Sequence, residues 1–197
     1  MTTNNQRSLI LASTSVYRRD LLARLNLPFT VIASQVDETP LPNEKTAAIA
    51  CRLALAKAQS VAQAHPHAIV IGSDQVADLG GLALGKPGTH ARACAQLKAM
   101  SGQLVLFQTA VSVVCHDIGF SQTELAQVQV QFRTLSRSQI EAYLNAEQPY
   151  DCAASAKSEG LGIALLERID SDDPTALIGL PLIRTRRMIE AAGLTLL

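Results

Sequence analysis

Asp74 follows the apolar run Ala68 to Ile71 in the string "AIVIGSDQV", where a carboxylate is either a turn-former or the working end of an active site. Asp37 and Glu38 lie in a loop that also follows a strand-like run, and could join Asp74 on one edge of a sheet. Two or three carboxylates gathered there would suit Mg²⁺ or Mn²⁺, which take oxygen ligands and bridge to substrate phosphates. A second group lies in "LILASTSVYRRDLL", where Ser13 and Ser15 fall between a strand and a helix and Arg18 and Arg19 occupy the first helical turn. Free N–H groups, hydroxyls and a guanidinium there form an anion site; read plainly, Ser15 is a helix cap and the arginines are solvated. Lys57, amid alanines and leucines, and Lys86, in "GKP", would add positive charge, although a solvated surface lysine is the ordinary reading of either. His65-Pro66-His67 has no third ligand nearby and reads as surface. Neither a G-x-S-x-G elbow nor a Cys/His signature occurs, which disfavours covalent catalysis.

These residues need a scaffold, and the patterning supplies one. "LILA" (9–12) reads as a buried strand, 15–27 as a helix with Leu21, Leu22 and Leu25 on one face, and 29–34 as a second strand. Prolines make 36–45 a loop; the Ala-rich 46–65 is a long helix ended by Pro66. The strand that carries Asp74 continues through a Gly80-Gly81 hairpin turn into "LALGKP". Thr89 caps a helix through Met100, with Gly102 as its stop. The β-rich runs 104–116 and 120–135 flank Asp117-Ile118-Gly119 as an antiparallel hairpin. Ser136 and Gln139 predict a capping box on helix 136–147, followed by a strand at 163–169 and a last helix at 181–193. A hairpin among strand-helix units predicts an α/β fold around a mixed sheet.

A chain of 197 residues supports one domain. Its 17 basic and 17 acidic residues cancel, so nothing global attracts duplex nucleic acid or an anionic membrane, and any anion site must be local. Cys51, Cys94, Cys115 and Cys152 form no C-x-x-C and read as buried thiols in a reducing compartment. The polar start and short apolar run of "MTTNNQRSLILAS" fit neither a signal peptide nor a membrane span, so the expected location is the cytoplasm.

In this order the segments resemble the Maf family of nucleoside triphosphate pyrophosphatases, from Leu9 to about Ala192. "LILASTSVYRRDLL" is similar to the family's S-x-S-P-x-R-x-x-L-L start, and "VDET", "RLALAKA", "IGSDQV", "GKP", "MSGQ", "VQFRTLS", "KSEGLGI" and "LIGLPL" follow in family order. The resemblance implies one domain over 1–197, an elongated mixed sheet with flanking helices and a central cleft between two lobes. It implies hydrolysis to a nucleoside monophosphate and pyrophosphate, by water attacking the α-phosphorus with a divalent cation, Mg²⁺ or Mn²⁺. Asp74 matches the proton acceptor; Glu38 and Asp74 would place the metal, Lys57 and Lys86 would serve catalysis, and Ser13, Ser15 and Arg18 would hold phosphate. Tyr17, Gln75 and Glu159 look like the subgroup acting on 7-methyl-GTP, a house-cleaning role in nucleotide metabolism; other branches carry arginine, threonine and glutamine there. The chain departs from the pattern at Val16, where proline is usual, and at Tyr17, where the subgroup typically has tryptophan. The alternatives are a pyrophosphatase for other non-standard or pyrimidine triphosphates, and a nucleotide-binding regulator of cell division without turnover. Glu38, Lys57, Asp74 and Lys86 count against the latter, because a pure binder needs no carboxylate beside an anionic ligand. The implied partner is a small-molecule nucleotide, with no nucleic-acid polymer and no membrane; a homodimer is compatible with it.

Overall fold

The computed structural model describes residues 7–197, so the polar start of the chain lies outside the described residues. Its first unit is β1 (Leu9–Leu11), α1 (Val16–Ala23) and β2 (Phe29–Val31), followed by α2 (Thr46–Ala62), β3 (Ile69–Leu79) and β4 (Leu82–Leu84). Then come α3 (His90–Met100), β5 (Leu104–Cys115), β6 (Phe120–Phe132), α4 (Arg137–Glu147), β7 (Leu166–Asp170) and α5 (Leu182–Ala191). The strands form one mixed seven-stranded sheet in the order β2-β1-β3-β5-β6-β7, with β4 paired to β3. Only β2-β1-β3 is parallel, because strand-helix crossovers join those strands; tight turns make β3–β4 and β5–β6 antiparallel hairpins, and β3–β5 and β6–β7 are antiparallel across longer, helix-containing connections. Among the described residues no helix is long and apolar enough to cross a membrane.

The period-2 alternation of the strands distributes side chains to helices on both faces. Leu9, Leu11, Ile69, Ile71, Val111 and Val113 meet Leu21 and Leu22 of α1 and Met188 and Ile189 of α5. On the opposite face Ile10, Val70 and Val114 meet Ala58, Val61 and Ala62 of α2. Further along the β5–β6 hairpin Val105, Phe107, Val128 and Val130 pack with Leu97 of α3 and Leu144 of α4. The small residues of α2 let it lie very close to the sheet. A Cβ on Gly72 would collide with the Ala54 carbonyl oxygen and fall 2.6 Å from the Ala58 nitrogen.

The expected caps form: Ser15, Thr89 and Ser136 accept from Arg18, Arg92 and Gln139 N–H groups, the last within a complete capping box. Several ends differ. α1 stops at Ala23, and Asn26 turns the chain at φ 53°. β2 ends at Val31, α2 at Ala62, and a 3-10 turn over Leu161–Leu165 delays β7 to Leu166. The four thiols are free as expected, but only Cys115 is buried; Cys51, Cys94 and Cys152 are partly exposed. Asp74 is not at a strand end: it lies within β3, paired opposite Ala110, and is therefore no turn-former. Its position is still special, since the parallel partner β1 leaves β3 after Ile71, which frees one flank of the strand where Asp74 begins to face a cleft.

Candidate active site

The cleft, about 770 Å³, lies beside this fork and is lined by the α1 N-terminus, β3, the end of β4 and the 151–159 and 177–179 segments. That volume falls within the range of small-ligand sites. On its floor Lys57 rises from α2 between the alanines pressed on β3, so its stem is enclosed and its side chain is only 8% exposed. Its Nζ lies 2.7 Å from Asp74 Oδ1 and 2.7 Å from Glu38 Oε1, the latter carboxylate reaching in from a loop with 61% of its side chain exposed. The ordinary reading of Lys57 as a solvated lysine is therefore wrong. Burial raises the Asp74 pKa above its usual value, with the Lys57 and Arg18 charges opposing that rise. Partial burial also pushes Glu38 upward, but its bond to Lys57 and the charges of Lys57, Lys86 and Arg18 prevail, so its pKa is lowered. Two neighbouring carboxylates are thus driven in opposite directions.

Ser13, Ser15 and Arg18 converge next to this chain. Ser13 Oγ accepts from the Ser15 N–H at 3.2 Å and from Arg18 Nη1 at 3.4 Å, while Ser15 Oγ caps the Arg18 N–H at 3.4 Å. Arg18 Nε donates to the Gly179 carbonyl at 2.9 Å, and the surrounding protein lowers the guanidinium pKa against the pull of Asp74 and Glu38. No carboxylate among the described residues lies within salt-bridge distance of Arg18, so Asp74 and Glu38 offset its charge only at longer range and the guanidinium faces the cleft without a direct counter-ion. Lys86, at the mouth, also lines the cleft. Arg19 instead pairs with Asp20 on the outside, and Asp37 closes its own turn by accepting the Thr39 N–H at 2.9 Å, away from the site.

Tyr17, Gln75 and Glu159 all line the same cleft. Tyr17 stands against Cys152, with Sγ 3.8 Å from Oη, and Lys157 Nζ lies 6.0 Å from its ring centroid. Burial is the largest cause that pushes the Cys152 thiol up to about 12, which keeps it protonated. The Gln75 amide nitrogen donates to Thr109 Oγ1 at 2.9 Å and to the Ala176 and Leu177 carbonyls at 3.0 Å, which leaves its oxygen as the acceptor that remains. The 176–179 carbonyls that fix Gln75, Arg18 and Ser73 have no counterpart in the expectations above. Backbone oxygens leave no mark of type in a sequence; the sole trace is Gly179, at φ 125°, inside "LIGLPL".

Among the described residues no three His, Cys, Asp or Glu side chains gather as a metal cage. Two carboxylates joined through one ammonium do suit a hard divalent cation that takes its other ligands from phosphate oxygens and water. Asp74 Oδ2 accepts no hydrogen bond among the described residues and is available for that purpose. Cationic groups for a polyphosphate, a carboxylate with an elevated pKa and an aromatic wall together suit phosphoryl chemistry on a nucleotide-sized anion.

A family model described as "Maf-like protein" matches residues 8–192. The chain is 68% identical over 194 residues to the 7-methyl-GTP pyrophosphatase of Polaromonas sp., spanning 98% of this chain and 89% of that protein. It is 65% identical over 192 residues to the protein of the same name in Albidiferax ferrireducens, covering 98% and 96%. A Thiobacillus denitrificans protein of that name is 56% identical over 195 residues, covering 99% and 97%.

Proposed function

The chain belongs to the Maf-like protein family, and from that premise we propose that it is a nucleoside triphosphate pyrophosphatase hydrolysing 7-methyl-GTP to 7-methyl-GMP and pyrophosphate. The observation that carries the reading is the Glu38–Lys57–Asp74 chain, two contacts of 2.7 Å on the floor of a cleft that also holds Arg18. In this mechanism Arg18, Ser13 and the α1 N-terminus hold phosphate oxygens, with Lys86 closing on the polyphosphate from the mouth. Asp74 takes a proton from water as the water oxygen bonds to the α-phosphorus. The bond from that phosphorus to the oxygen bridging to the β-phosphate breaks, and pyrophosphate leaves with the electron pair. Lys57 keeps Asp74 ionised and aimed despite its burial. A divalent cation, Mg²⁺ or Mn²⁺, would be held by Glu38 and Asp74 and would neutralise phosphate charge.

The base is read at the other end of the cleft. Methylation at N7 makes guanine cationic, so the face of Tyr17 attracts it by about 0.5 to 2 kcal/mol. The Glu159 carboxylate accepts from the N1–H and N2–H₂ edge, and its charge favours the cationic ring. The proposed setting is the cytoplasm, where one domain acts on free nucleotide. Pyrophosphate release measured over a panel of triphosphates tests the reading: 7-methyl-GTP should exceed GTP, dTTP and UTP, and chelation of divalent metal should abolish turnover. A higher kcat/KM for dTTP or UTP would move the chain to a pyrimidine specificity, and release of single phosphate would remove the pyrophosphatase assignment.

A further inference from the structure

The wall that would receive the base is itself supported by a carboxylate outside the cleft. Glu147, the last residue of α4, has a side chain only 15% exposed, and both its oxygens are engaged by the turn that follows Lys157. Oε1 lies 2.6 Å from Lys157 Nζ, and Oε2 accepts the Leu161 N–H at 2.8 Å. The turn is built against this group: a Cβ on Gly160 would come within 2.8 to 3.0 Å of the Glu147 carboxylate. One turn earlier on α4, Tyr143 Oη accepts the Lys157 N–H at 3.1 Å and donates to the Ser155 carbonyl at 3.0 Å. Two side chains of α4 therefore grip the segment that presents Glu159 to the cleft.

The same contact handles a charge. Lys157 Nζ lies 6.0 Å from the Tyr17 ring centroid, and Lys157 and Glu159 are two positions apart in one tight turn. Held by Glu147, the ammonium already borders the Tyr17 ring at that distance; without the Glu147 charge it is neutralised by nothing there and is free to move further over the Tyr17 face or onto the Glu159 carboxylate. Either would oppose a cationic base, by like-charge repulsion at the ring or by masking the one negative group that favours it. Building on the base recognition proposed above, we infer that Glu147 is a specificity-determining positioning residue: it neutralises the Lys157 ammonium and pins it at the edge of the Tyr17 ring, and so keeps the Tyr17–Glu159 wall receptive to a positively charged nucleobase.

The test is a double-mutant cycle read as the ratio of kcat/KM for 7-methyl-GTP over GTP. Glu147→Gln keeps the size and an oxygen for the Leu161 N–H but loses the charge. The expected result is a fall of this ratio by about three- to tenfold relative to wild type, carried mainly by a higher KM for the methylated nucleotide. Lys157→Met in the Glu147→Gln background removes the stray cation and should restore the ratio to within about twofold of wild type. If the double variant stays as impaired as the single one, Glu147 is merely a structural support and the charge inference is overturned; an unchanged ratio in Glu147→Gln overturns it outright. A wild-type ratio near or below one would instead overturn the assignment of substrate, while the drop relative to wild type would still measure the effect of Glu147.

Discussion

Asp74 and Glu38 lie on one lysine, and their displaced pKa values tell their proposed roles apart. Asp74→Asn should lower kcat by about a hundred- to ten-thousand-fold while thermal unfolding shows a retained fold, since an amide cannot take the proton. A variant that kept more than a tenth of wild-type turnover would exclude Asp74 as the base. The pH profile supplies an independent check. A base works only when deprotonated, and burial has raised Asp74, so the acid limb of kcat/KM should fall above the ordinary aspartate value of 3.8. Glu38 is lowered from its ordinary 4.5, so an acid limb beneath 3.8 would exclude Asp74 and hand the role to Glu38. The types needed for this chemistry were legible in the sequence, and all ten candidate residues do line or flank one cleft. What was not legible is how each is held. The local strings "RLALAKAQ" and "GSDQ" do not reveal that Lys57 is enclosed or that Asp74 sits at the point where β1 departs, because both follow from tertiary packing.

At the level of elements the decisive contact is α2 on β3, where Gly72 passes beneath Ala54 and Ala58. Gly72→Ala should destabilise by about 1 to 3 kcal/mol through overpacking, which for a chain of this size lowers Tm by roughly 2 to 12 °C. It should also cut kcat more than Tm alone accounts for, since lifting α2 draws Lys57 away from Asp74. Ser136→Ala is the control: losing the capping box of α4 costs about 1 kcal/mol with kcat unchanged, because that helix end lies far along from Glu147. A Gly72→Ala enzyme with wild-type kcat would show that the close approach serves stability only. The elements themselves were readable because hydrophobic period and caps agree in each, as at Ser15, Thr89 and Ser136. The late start of β7 has a tertiary cause. Residues 161–165 carry the apolar content of a strand, yet Gly160 and Gly162 fold against Glu147 and Lys157 and wind that segment into a 3-10 turn. A contact from a distant helix outweighed local propensity there.

Across the whole molecule, the β5–β6 hairpin runs the length of the sheet and contributes to the cores at both ends, Val111 and Val113 to one and Val105 and Phe107 to the other. Neither end can lose its packing without disturbing strands shared with the other. Heat should therefore unfold the protein in one transition, with near- and far-ultraviolet circular dichroism superimposing; two separated transitions would show that the ends are independent. The bond from Arg18 to the Gly179 carbonyl spans 161 positions of the chain. On the ribosome, at about 5 to 20 residues per second, the arginine emerges roughly 10 to 30 seconds before the carbonyl that aims it has been made. From residue 74 onward within that interval the nascent polypeptide carries Lys57, Glu38, Asp74 and the guanidinium, but not the backbone that orients the arginine. Translation itself thus withholds the finished site until Gly179 has been made, and a product that terminates before it inherits the reactive groups without their alignment.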